Sequence, residues 1–63
     1  MKDSLGDRIR SMRDSRGQSL KQLAEATGLT QSFLSQVERD LTSPSVASLR
    51  KIAEALEIGR AHV

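Results

Sequence analysis

Gln31, Ser32, Ser35, Gln36 and Arg39 are the residues of this chain best suited to recognition chemistry. On a helix of about 3.6 residues per turn they share one arc. That arc carries amides, hydroxyls and a guanidinium, but no carboxylate. Glutamine can bond adenine in two places, and arginine can bond guanine or a phosphate. A carboxylate would be repelled by phosphate, whereas an ordinary solvated helix usually includes Glu or Asp. The composition of the arc therefore favours reading of duplex DNA over a bland polar face.

Other chemistries lack their parts. The chain has 63 residues, no cysteine and a single histidine, His62, close to its end. Disulfides and thiolate metal sites are thereby excluded, and one terminal histidine cannot build a base network or a His-rich zinc site. There is no nucleophile–base set, metal-ligand cluster or phosphate loop, so an enzyme is not expected and no cofactor is implied. Glu54 and Glu57 sit three apart on a helix and read as solvation. Phe33 is the only aromatic, which argues against single-strand binders that stack bases on several rings. No apolar run approaches the ~20 residues of a membrane span, and Met1-Lys2-Asp3 lacks a signal-peptide core. A cytoplasmic protein is the simplest expectation.

The net charge is +2, distributed unevenly. Residues 1–21 hold six Lys/Arg against three Asp, while residues 22–63 hold four against five acids. A mildly basic first third suits a DNA surface and an ordinary helix equally, so charge alone decides nothing.

Four helices can position the arc. The first runs from about Ser4 to Arg16, with Leu5, Ile9 and Met12 on one face. Ser4 suits its N-cap, and Gly17 the left-handed residue after its end. The second covers roughly Leu20 to Ala26, where Ser19 and Gln22 form a capping box and Leu20, Leu23, Ala24 and Thr27 a stripe. Gly28-Leu29-Thr30 is the connection, with Gly28 permitting a tight turn where a side chain would crowd the helix pair. The third helix starts after Thr30, its N-cap, and continues to about Arg39. Its inner side is expected to carry Leu34, Val37 and Leu41, with Phe33 flanking the core. The loop Asp40–Pro44 follows. Pro44 fits the first turn of the fourth helix, with Ser43 or Ser45 as cap. That helix carries Val46, Leu49, Ile52, Ala53 and Leu56 and ends before Gly59. One domain over residues 1–58 is expected, with 59–63 as a tail or the start of a linker. Two short helices joined by a glycine-containing turn make a helix-turn-helix.

Taken together, Gly6-Asp7-Arg8-Ile9-Arg10, Ser19-Leu20-Lys21-Gln22-Leu23-Ala24, Gly28-Leu29-Thr30, Leu34-Ser35-Gln36-Val37-Glu38-Arg39, Pro44-Ser45 and Leu49-Arg50-Lys51-Ile52-Ala53 resemble the XRE family of helix-turn-helix domains. These domains are similar to the lambda and Cro repressors, and the likeness covers about residues 5–58. It implies an all-α, compact four- to five-helix lambda-repressor-like bundle with a central helix-turn-helix and the third helix in the major groove. It also implies base contacts from Gln31, Ser32, Ser35 and Gln36. Phosphate contacts are implied for Ser19, Thr30, Arg39, Thr42 and Ser43, and a buried pair for Arg13 and Glu38. Helix N-termini, with their free amides, suit phosphate independently of any family. Two positions depart from the family pattern. Leu20 stands where phage repressors often place a phosphate-touching Gln. Asp40 replaces the usual glycine, losing backbone freedom and adding negative charge near DNA.

The likeness is closest in style to bacterial regulators that carry a C-terminal cupin sensor, so a sensor domain is expected to be missing from this chain. It further implies a homodimer on a palindromic operator. The competing reading is a protein-interaction module, such as an antitoxin-like or regulatory partner domain. That alternative calls for exposed apolar anchors on the outer face of the third helix, where amides and hydroxyls stand instead.

Overall fold

The computed structural model describes residues 4–56, and all of its regular structure is helical. Helix α1 spans Leu5–Ser15, α2 Leu20–Thr27, α3 Gln31–Glu38 and α4 Val46–Leu56. None of these helices is long and apolar enough to cross a membrane. The domain boundary expected at residue 58, the tail 59–63 and His62 lie outside the described residues.

Local chemistry sets each start. Ser4 Oγ accepts the Asp7 amide at 3.1 Å and begins α1. At α2, Ser19 Oγ accepts the Gln22 amide at 3.0 Å, and Gln22 Oε1 accepts the Ser19 amide at 2.8 Å. Each partner satisfies a backbone donor that the helix itself leaves open. Thr30 Oγ1 accepts the Phe33 amide at 3.0 Å to begin α3.

The fourth helix begins at Val46, the later of the two starts that the sequence allows. Ser45 Oγ accepts the Ser48 amide at 3.1 Å, so Ser45 rather than Ser43 is the cap. Pro44 therefore precedes the helix instead of entering its first turn.

Amphipathic faces close the bundle. Leu23, Leu34, Val37, Ile52 and Leu56 are at most 1% exposed, joined by buried Ile9, Ala24 and Ala55. Met12, Leu20, Leu29, Phe33 and Leu49 pack around this centre. Phe33 thus flanks the core, and Leu20 serves packing. Helix α2 lies against both α3 and α4, and α1 packs across the same two helices.

One expected core residue is not there: Leu41 is 64% exposed. Helical periodicity places it beside Val37, but the helix has already ended. The chain turns at Asp40, the one non-glycine residue with positive φ (60°) among those described. The Leu41 amide then donates back to the Gln36 carbonyl at 2.9 Å, and the side chain leaves the core.

Gly28, with φ of 76°, also differs in its reason. A Cβ built there meets nothing within 4 Å, so the turn requires glycine for its dihedral and not for space. A left-handed residue is disfavoured for any side chain with a Cβ.

Candidate nucleic-acid interface

Helix α3 presents Gln31, Ser32 and Gln36 as exposed side chains, with Ser35 half-buried between them. Arg39 follows as the exposed C-cap residue. The structure thus brings together the amides, hydroxyls and guanidinium of the sequence-derived arc. Ser43 is exposed and Thr42 half-buried in the loop that continues from Arg39.

The other phosphate candidates stand at helix starts. Ser19 and Thr30 are exposed, and each uses its side-chain oxygen to cap its own helix. Their hydroxyl hydrogens remain able to donate. Behind them, the first amides of α2 and α3 have no partner within the helix and carry the positive end of the helix dipole. This is the arrangement that suits a phosphate oxygen.

The absence of negative charge on the outer face has a structural cause. Glu38, the only acid in α3, is turned inward with its side chain 5% exposed. Arg13 Nε donates to Glu38 Oε2 at 2.7 Å and Nη2 to Oε1 at 3.0 Å, a two-pronged match of guanidinium and carboxylate. A third donor, Nη1, reaches the Gln18 carbonyl at 2.8 Å, closing the link from α1 through the α2 entry to α3. The hydrogen bonds that Arg13 donates to Glu38 hold its pKa above the usual value. Burial opposes that shift, while the charges of Glu38 and Asp14 reinforce it.

Gly6 and Asp40 complete the seat of α3, and sequence reasoning missed both roles. Gly6 is buried against the end of α3. A Cβ there would fall 2.5 Å from the carbonyl oxygens of both Val37 and Glu38. The Asp40 carboxylate accepts Ser4 Oγ at 2.7 Å and the Gly6 amide at 3.2 Å. An acceptor just past a helix end, in a residue type that tolerates left-handed backbone, was the available signal. Its partners lie 36 and 34 residues away and could not be read from spacing.

Arg10 and Arg16 are exposed, Arg10 lying 3.9 Å from Asp14. Among the described residues no group of three or more His, Cys, Asp or Glu could hold a metal ion.

Comparison with known proteins extends this picture. Residues 9–62 match the family described as helix-turn-helix. The HTH-type transcriptional regulator SutR of Escherichia coli strain K12 is 46% identical over 54 residues, covering 86% of this chain and 30% of the relative. SinR of Bacillus subtilis strain 168, also an HTH-type transcriptional regulator, is 42% identical over 55 residues, covering 86% of this chain and 50% of its own. The chain therefore spans half or less of the length of these relatives. In three dimensions it superposes on the crystal structure of SinR, the master regulator for biofilm formation, in complex with DNA. That match has a TM-score of 0.81 and 40% identity, and covers 86% of this chain and 87% of the other. A SinR protein/SinI protein complex matches with a TM-score of 0.80 at 40% identity, covering 86% and 53%. These relatives are regulators of transcription and not enzymes. The chain belongs to the XRE-type helix-turn-helix family and has the all-α fold of a DNA-binding regulatory domain.

Proposed function

We propose that this chain reads a specific sequence in double-stranded DNA, as the binding domain of a bacterial or phage transcriptional regulator working in the cytoplasm. Helix α3 lies in the major groove, with Gln31, Ser32, Ser35 and Gln36 at base edges. Ser19, Thr30, Arg39, Thr42 and Ser43 hold phosphates on either side. The observation that carries this reading is the outer face of α3, cleared of carboxylate because Glu38 is turned inward onto Arg13. The likeness to SinR, solved in complex with DNA, supports it at 40% identity.

One short helix reads only a few base pairs, so two copies act together on a palindromic operator. Their half-sites are spaced by about one helical turn, ~34 Å. Selection of bound sequences from a random duplex pool tests the reading, followed by titration of the selected site at increasing salt. A two-fold symmetric site and an affinity that falls with salt are expected, because phosphate contacts release counterions. Binding indifferent to both sequence and salt would favour the protein-partner reading instead.

A further inference from the structure

We propose that Asp40 is a positioning residue for DNA recognition: its carboxylate fixes the end of helix α3, and the loop beyond it, against helix α1. The inference rests on the DNA reading given above.

A φ of 60° at residue 40 needs only a residue that tolerates left-handed backbone, and glycine would serve it best. The backbone therefore does not explain the carboxylate. Its contacts do. Oδ2 accepts Ser4 Oγ at 2.7 Å and Oδ1 accepts the Gly6 amide at 3.2 Å. The first-turn amides of a helix lack internal partners, and the positive end of the dipole favours an anion at that place. The charge of Asp40 is thus engaged with α1.

This tether acts where recognition is aimed. Gly6 lies against the Val37 and Glu38 carbonyls, and Arg13 grips Glu38 two residues before Asp40. Arg39 lies between the two anchored residues, and Thr42 and Ser43 follow after Leu41. Losing the Asp40 tether leaves the α3 core contacts in place but frees this end of the helix to tilt against the groove. Base contacts depend on that tilt more strongly than phosphate contacts, which follow the backbone without reading sequence.

The test compares wild type, D40G and D40N on the duplex selected from the random pool and on a scrambled duplex of equal length. Glycine keeps the turn and removes the tether, while asparagine tolerates the turn, loses the charge and keeps an acceptor. D40G is expected to lose about tenfold in the preference for selected over scrambled duplex, the order of one base contact. D40N is expected to retain most of that preference. In free D40G the Gly6 amide should lose protection from hydrogen exchange while the Leu23 amide keeps it.

Equal tightening of both duplexes by D40G and D40N would overturn the proposal, leaving Asp40 a repelling charge. Unchanged selectivity in D40G would also overturn it, leaving the DNA reading intact. A wild-type chain that selects no duplex would overturn both.

Discussion

At the scale of single residues, two kinds of DNA contact should separate in binding data. Gln31 and Gln36 are exposed at the start and middle of α3. Replacing either by alanine is expected to cost about 1–3 kcal/mol on the preferred site and to relax choice at one base step. Arg39→Ala should instead weaken preferred and scrambled duplexes alike and flatten the salt slope by about one unit. Titrations at several salt concentrations distinguish these outcomes, and a changed base preference with an unchanged slope would contradict the phosphate role. Arg13 brings no pH sensitivity near neutrality. A group whose folded pKa is raised contributes its stability below its unfolded value and loses it only as pH climbs through the folded one. For an arginine held above its usual value, that window lies far into alkali.

At the scale of elements, α3 is held by its seat on α1. Glu38→Ala would leave Arg13, whose side chain is 12% exposed, without its partner. Breaking a buried pair typically costs roughly 3–5 kcal/mol, comparable with the whole stability of so small a domain. Thermal melting should therefore show Glu38→Ala unfolded or nearly so. The double change Arg13→Met with Glu38→Leu should recover much of the loss, because apolar residues of similar volume remove the stranded charge. Gly6→Ala should also destabilise, by about 1–3 kcal/mol, since the carbonyls it meets are backbone and cannot step aside. The caps behind these elements were legible because capping is local: Ser4, Ser19 with Gln22, and Thr30 each act within three residues. The polar outer arc of α3 was legible for the same reason, as helical periodicity holds inside α3. It fails beyond Glu38, where the turn at Asp40 sends Leu41 outward. The partners of Asp40 were illegible because they depend on how α1 crosses α3.

At the scale of the whole molecule, the free 63-residue chain is expected to be a monomer or a weak dimer that pairs mainly on DNA. Among the described residues only Leu5, Leu41 and Val46 are large hydrophobics left exposed. Stable homodimers usually bury a more continuous apolar centre. Sedimentation at micromolar concentration should report the 6.9 kDa species, and a persistent species of twice that mass would refute the expectation.

The tethering of α3 also bears on how portable its specificity is. An eight-residue helix is well below the ~12–15 residues that persist alone in water. Its shape and heading are borrowed from α1, through partners 25 to 36 residues distant. Grafting Gln31, Ser32, Ser35 and Gln36 onto another helix-turn-helix should therefore transfer sequence preference only into hosts that offer equivalents of Arg13 and of the Ser4–Asp40 bond. In other hosts the same four side chains would be aimed at the wrong base edges.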